Sequence, residues 1–300
     1  MFNHPEAILN EIAARNPKHE AHLRESLTGL GDWYEQKAAD FLGRYSVYLE
    51  NSGRQPDYGV HCYMEMVTHM REERMEFIRS GKYSNSSFAE VEQQVYSNPE
   101  IMNIHMHGLV LAQFMWYDQF QRFLFFSGNL PKYAAGAQNY LEIGGGHGLY
   151  IYEAFELLKD VKQFDMVDIS ESSINLAKGI LNNDSINYYH KNLFDFDASV
   201  KYDVITIGEV LEHLEAPDQM LNKITELLTG NGVCYVTTPV NAPMIDHIYL
   251  FNNTDEIREL FDRCGLHILQ ETIAITDNKP SAYAEKYKIP IMYAAFVAKK

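Results

Sequence analysis

Two carboxylates and an imidazole lie close together in the stretch IGEVLEHLEAP, which spans residues 207–217. If a helix begins near Gly208, the side chains of Glu209, Glu212 and His213 lie at positions i, i+3 and i+4 and share one face. Clustered carboxylates repel each other unless a positive charge lies between them. The spacing therefore predicts that a cation accompanies these three side chains.

The elements that must position these residues change in character near residue 135. Residues 1–134 place apolar side chains at three- and four-residue spacing, which predicts an all-helical domain. In residues 135–300, helical stretches alternate with strand-like runs at 139–143, 164–168, 186–190, 203–207, 232–238, 266–275 and 291–298. This order predicts an α/β fold with a doubly wound, seven-stranded, mainly parallel sheet. The last connection lacks a crossover helix of adequate length, so the last strand is predicted to be antiparallel.

One helix of the first domain is apolar nearly all round. It is predicted from Asn98 to about Phe126, and its composition favours burial in a domain interface, a dimer interface or a substrate pocket. Aromatic residues such as Trp116 and Tyr117 would then help to cap the site. His105 and His107 lie two positions apart and face different directions on a helix, which favours packing or hydrogen bonding over metal binding.

A glycine-rich stretch, LEIGGGHG, follows the first predicted strand and precedes a helix. Glycines 144, 145, 146 and 148 allow a tight turn and close approach of a ligand to the helix N-terminus. Asp168 ends the second strand 24 residues after Gly144, where an acid can hold ribose hydroxyls. Together these features predict a nucleoside-containing cofactor.

Residues 135–300 resemble the class I S-adenosylmethionine-dependent methyltransferases. The matching segments, in the order of that family, are YLEIGGGHG, VDIS, HKNLFDFD, YDVITIGEVLEHL and GVCYVTTP. The resemblance implies S-adenosyl-L-methionine as cofactor, bound by Glu142, Gly144, Gly145, Gly146, Asp168, Ile169, Asn192, Leu193 and Glu209. HKNLFDFD lacks the usual Gly-Asp pair of the family. The structural alternatives are a strand-end acid at Glu142, a helix cap at Asp168 and a turn former at Asn192.

The Glu-x-x-Glu-His pattern and the later segment NAPMIDHIYLF resemble two metal-dependent branches of this superfamily. They are the ubiquinone-pathway O-methyltransferases and the small-RNA 3′-terminal 2′-O-methyltransferases. The resemblance implies that Glu209, Glu212, His213 and His247 bind one divalent cation, and this mixed donor set suits Mg, Mn, Fe or Zn. The alternative is a metal-free pocket in which His213 or His247 acts as the catalytic base.

Composition bears on the substrate class. The net charge is −16, and residues 136–300 carry 13 Lys/Arg against 24 Asp/Glu. An acidic surface opposes binding to a phosphate backbone, so we expect a small-molecule substrate in a biosynthetic pathway and no nucleic acid. RNA 3′-end methylation is the less favoured alternative. The chain shows no membrane-span or signal pattern and three scattered cysteines, which indicate a cytoplasmic protein. The N-terminal helices offer a surface for a homodimer.

Overall fold

The computed structural model describes residues 4–197 and 199–300. Its first part is helical, as the apolar spacing predicts. The helices are α1 (Pro5–Arg15), α2 (Pro17–Leu27), α3 (Gly31–Asn51), α4 (Tyr58–Ser80), α5 (Phe88–Val91), which continues as a π-helical turn (Glu92–Tyr96), α6 (Pro99–Met115) and α7 (Tyr117–Tyr133).

The second part is built on a seven-stranded sheet in the order β3-β2-β1-β4-β5-β7-β6. The strands are β1 (Asn139–Ile143), β2 (Gln163–Asp168), β3 (Ile186–His190), β4 (Tyr202–Gly208), β5 (Leu228–Val240), β6 (Leu266–Ile275) and β7 (Ile291–Lys299). Strands β1 to β5 pair in parallel, whereas β7 lies antiparallel between β5 and β6. The predicted fold class and the antiparallel last strand are confirmed.

Helices cover both faces of this sheet. They are α8 (Leu149–Leu157), α9 (Glu171–Leu181), α10 (Pro217–Leu227), α11 (Thr254–Arg263) and α12 (Ser281–Tyr287). One face shares a hydrophobic core with α8, α9 and the N-terminal helices, while the other packs on α10 and α11. Because α7 contacts β5, β6 and β7, the helical region and the sheet are joined by a continuous apolar core. The division at residue 134 stays a prediction.

The apolar helix predicted from residue 98 to 126 is two helices. Trp116 has an extended backbone (φ −108°, ψ 124°), which ends α6 and redirects the chain into α7. Its indole Nε1 donates to the hydroxyl of Tyr63 at 2.8 Å, and Asp118 accepts from the amide of Gln119 at the start of α7. The break matters because it turns residues 116–119 toward the cavity described below.

No helix in residues 4–197 and 199–300 is long and apolar enough to span a membrane.

Candidate active site

A cavity of about 890 Å³ lies between the carboxyl ends of the parallel strands and the helices α2, α4 and α6. Such an edge is where ligands bind in open α/β sheets. The cavity is near the upper end of the usual range for small-molecule sites, which suits a cofactor together with a second ligand. Its wall includes these predicted site residues: Glu142, Gly144, Gly145, Gly146, Asp168, Ile169, Asn192, Leu193, Glu209, His213 and His247.

The glycine-rich loop approaches its neighbours too closely for side chains. Gly144 and Gly146 adopt left-handed conformations with φ of 62° and 55°. A Cβ atom at Gly144 would overlap the Cγ2 atom of Val210, and one at Gly145 would lie 2.6 Å from the Cε atom of Met166. Left-handed backbone is costly for residues with a Cβ atom, so the loop needs glycine to present its backbone to a ligand.

Glu142, at the end of β1, is a buried acid in the cavity wall. Its Oε2 atom has no hydrogen-bond partner in the described part of the chain. Burial raises the pKa of this carboxyl well above its usual range. A buried acceptor facing a ligand-sized cavity fits a ligand that brings a donor or a positive charge, as the amino-acid part of S-adenosylmethionine does.

Asp168 connects the end of β2 to the glycine-rich loop. Its carboxylate accepts the amides of Ser170 at 2.8 Å and Gly146 at 3.3 Å. Burial raises its pKa to about 6, against the opposing effect of these two amide donors. The helix-cap alternative for Asp168 is wrong, because the side chain that caps α9 is Ser170, which accepts the amide of Ser173.

The remaining predicted cofactor residues lie along the same wall. Ile169 is exposed, and its carbonyl is 3.0 Å from Nε2 of His190. Leu193 is buried, and the side chain of Asn192 accepts the amide of Phe194 and thereby caps the turn Leu193–Asp195. Asn192 is therefore the turn former that the sequence offered as an alternative, while it also lines the cavity.

Three of the four predicted metal ligands converge. Donor atoms of Glu212, His213 and His247 lie within 4.8 Å of one another. The Oε1 atom of Glu212 is 3.9 Å from Nε2 of His213 and 4.0 Å from Nε2 of His247. The Nδ1 atoms of both histidines bond to backbone carbonyls, those of Asp246 (2.9 Å) and Ala242 (2.6 Å). In neutral imidazoles this leaves both Nε2 lone pairs facing Glu212.

Glu209 does not join this cluster, and the helix predicted to begin near Gly208 is wrong. Strand β4 continues to Gly208, and Glu209 is left-handed with φ of 54°. A left-handed residue cannot be part of a right-handed helix, so Glu209 lies outside any helix, and the segment after it forms only a short 3₁₀ turn at Leu211–His213. The carboxylate of Glu209 instead pairs with Arg122 and accepts from Thr237 Oγ1 at 2.9 Å.

The domain that carries this site is similar to a known protein family. Residues 141–234, which run from β1 into β5, match the family model for a methyltransferase domain. This chain therefore contains a methyltransferase domain. A sequence search of curated proteins finds no match.

Solved structures similar to this methyltransferase share its fold. The mitomycin 7-O-methyltransferase MmcR has a TM-score of 0.54 and 13% identity, covering 88% of this chain and 75% of that one. The plantazolicin methyltransferase BpumL, solved with SAH, has a TM-score of 0.51 and 14% identity, covering 77% of this chain and 99% of that one. At these identities the likeness establishes the fold, including helical additions to the sheet.

His213 has buried polar neighbours that come from other elements of the fold. The Oδ2 atom of Asp246 lies 3.4 Å from Nδ1 of His213 and 3.5 Å from Nε2 of His105, while the hydroxyl of Tyr96 lies 3.3 Å from that Nδ1. His105 and Tyr96 come from the helical region of the methyltransferase. His105 therefore contacts a polar residue of this site, which its position on the helix did not predict.

The charges of these groups act on one another. Burial would lower the pKa of His213, but the carboxylates of Asp246 and Glu212 outweigh burial and raise it. For His247, burial first and the positive charge of His213 second lower the pKa to about 3, so its imidazole is neutral at pH 7. Burial and the nearby charge of Glu209 raise the pKa of Glu212 to about 8. A cation at this point would favour the ionised carboxylate.

The glycine-rich loop of the methyltransferase gives a first testable expectation. We expect Gly144→Ala to abolish most of the affinity for S-adenosylmethionine, because its Cβ atom would displace Val210 and the loop. The left-handed backbone adds roughly 1–2 kcal/mol of strain to the folded state. Isothermal titration calorimetry and thermal unfolding measure the two effects.

Gly136→Ala is the matched control. Gly136 is also left-handed, with φ of 80°, but a Cβ atom there meets nothing within 4 Å. It should lose similar stability and keep its affinity. Equal affinities in the two variants would show that the loop does not cradle the cofactor.

Proposed function

We propose that this methyltransferase transfers a methyl group to an oxygen or an enolised carbon of an apolar small molecule. The composition of the cavity carries the proposal. Seven of the 12 methionines line it: Met70, Met102, Met106, Met115, Met220, Met244 and Met292. Trp116, Tyr117 and Phe88 add aromatic surface. Adaptable thioethers and flat aromatic rings favour an apolar acceptor. By name, the two structural neighbours act on mitomycin and plantazolicin.

The cofactor is proposed to lie along the glycine-rich loop. Asp168 would hold the ribose, and Glu142 and the loop would hold the amino-acid part, since the unpartnered Oε2 atom of Glu142 and the open glycine surface fit those groups. When bound, S-adenosylmethionine supplies an activated methyl group for in-line displacement. The protein's part is to orient the acceptor beside it and to control the proton of the attacking group.

Glu212, His213 and His247 are proposed to hold a divalent cation. The buried Oε1 atom of Glu212, which has no hydrogen-bond partner among the described residues, supports this, as do the two histidines that are oriented through Nδ1. Without Glu209 the donors become two nitrogens and one oxygen, which favours Mn, Fe or Zn over Mg. Such a cation lowers the pKa of a bound hydroxyl or enol.

The metal-free alternative uses His213 as the base. Its Nδ1 atom is oriented by the carbonyl and carboxylate of Asp246, and its Nε2 atom lies 3.9 Å from the Oε1 atom of Glu212. RNA 3′-end methylation is disfavoured by the net charge of −16 and by the apolar lining of the cavity. Loss of activity on removal of metal would support the proposed cation, whereas full activity would support His213 as a metal-free base.

The direct test is formation of S-adenosylhomocysteine with a panel of phenolic and enolic acceptors. It is measured with the protein as isolated and after verified removal of metal by a chelator. We expect turnover with apolar acceptors, loss of turnover on chelation, and recovery with Mn, Fe or Zn. Full activity of metal-free protein would leave His213 as the base, and turnover only with an RNA 3′ end would contradict the substrate class.

A further inference from the structure

Helix α7 carries an arginine that is buried beneath the cavity wall. Arg122 has 0% exposure, and one of its nitrogens, Nη1, donates to the Oε1 atom of Glu209. Within residues 4–197 and 199–300, its Nε and Nη2 atoms meet no hydrogen-bond partner. A buried guanidinium is tolerated only beside an opposite charge, so the contact with Glu209 is what compensates its burial.

The nearest acid on the same helix is hydrogen-bonded to other groups. The carboxylate of Asp118 accepts from Thr276 Oγ1 at 2.6 Å and from the amide of Gln119 at 2.9 Å. It attracts Arg122 through space without a hydrogen bond to it. Glu209 is thus the carboxylate that Arg122 bonds directly, although 87 residues separate the two in sequence.

Thr237 holds Glu209 at both its amide and its carboxylate. Its amide donates to the carbonyl oxygen and to the Oγ1 atom of Thr237, at 3.1 and 3.2 Å, and Thr237 Oγ1 donates back to the carboxylate. These contacts fix a left-handed glutamate, a conformation that costs free energy unless its surroundings impose it. The side chain of Glu209 retains 30% exposure, and it lines the cavity at the end of β4.

We propose that Arg122 is a positioning residue. Its ion pair with Glu209 holds that carboxylate beside the cofactor site and keeps it away from the cluster of proposed metal ligands. The inference rests on the proposed function. Arg122 and Thr237 together hold one carboxylate oxygen, which leaves the other, on a side chain that lines the cavity, to accept the ammonium or hydroxyl groups of S-adenosylmethionine. The pair also ties α7, a helix of the N-terminal region, to the cofactor wall.

The test is a double-mutant cycle read by calorimetric affinity for S-adenosylmethionine, which needs neither acceptor nor turnover. We expect Arg122→Met and Glu209→Gln each to weaken binding by about ten- to a hundredfold, the effect of losing one charge-assisted hydrogen bond. Because the two act as a unit, the double variant should be no weaker than the worse single variant. Arg122→Lys should recover part of the affinity, and the metal content of Arg122→Met should equal that of the wild type.

Lys37→Met is the matched control. Lys37 also joins the helical region to a buried carboxylate, that of Glu153 at 2.5 Å, but neither residue lines the cavity. It should lower the unfolding temperature without changing cofactor affinity. Wild-type affinity in Arg122→Met, or additive effects in the cycle, would overturn the inference. If Arg122→Met does not fold, the affinities of Arg122→Lys and Glu209→Gln for S-adenosylmethionine test the same contact. A wild-type protein that does not bind S-adenosylmethionine would instead contradict the proposed function.

Discussion

Glu212→Gln should remove the proposed cation and lower the rate of methyl transfer by on the order of 10²–10⁴, because a Lewis acid at this point would supply several kcal/mol and each 1.36 kcal/mol is tenfold in rate. The fold should persist. A glutamine can still accept from Thr238 Oγ1, which lies 2.9 Å from the present carboxylate, and its amide can donate toward the Nε2 atoms of His213 and His247. Elemental analysis and single-turnover kinetics measure the two losses.

The control for this substitution is Glu226→Gln. Glu226 is exposed on α10 and lies away from the cavity, so metal content and rate should be those of the wild type. If Glu212→Gln keeps both its metal and its rate, the cation is held elsewhere. If elemental analysis finds no metal in either the wild type or Glu212→Gln, and both are active, His213 acts as the base. His213→Ala should then show the loss of rate.

Asp168→Ala should weaken S-adenosylmethionine binding by roughly 3–6 kcal/mol, a factor of about 10² to 10⁴, because two ribose hydroxyls lose a charged acceptor. It also removes the acceptor of the Gly146 and Ser170 amides, which loosens the glycine-rich loop. Titration calorimetry measures the affinity, and circular dichroism confirms that the sheet is retained. An unchanged affinity would show that the ribose lies elsewhere.

The same carboxyl predicts a pH dependence of cofactor binding. The pKa of Asp168 is raised to about 6 in the ligand-free protein, and the ribose is accepted by the ionised form. Binding therefore has to displace a proton below pH 6, so the affinity should be constant above pH 7 and fall about tenfold per pH unit below 6. Asp168→Asn should bind more weakly and lose this dependence. A wild-type affinity that is flat down to pH 5 would contradict the assignment.

The order of strands and helices in residues 135–300 was predictable from sequence because each element is short and its apolar pattern is local. The predicted runs at 139–143, 186–190 and 266–275 coincide with β1, β3 and β6. The glycine-rich loop was predictable for a similar reason, since left-handed backbone at Gly144 and Gly146 requires residues without a side chain. The rule that ligands bind at strand ends placed Asp168 at this edge of the sheet, and in the structure Asp168 lines the cavity there.

Local patterns failed where long-range contacts decide the backbone. Residues 98–126 read as one apolar helix, but the contact of Trp116 with Tyr63, 53 residues away, accompanies a break between α6 and α7. Residues 208–213 likewise carry helical spacing. The amide of Glu209 bonds to Thr237 on the neighbouring strand, and that pairing imposes a left-handed residue where a helix would begin.

The sequence by itself determined which chemical groups this methyltransferase has and at which edge of the sheet most of them lie. Only the tertiary structure decided their partners. Glu212, His213 and His247 converge, whereas Glu209 pairs with Arg122. A buried guanidinium requires an opposite charge beside it, and this pairing depends on α7 lying against the sheet. No spacing within residues 207–217 contains this information.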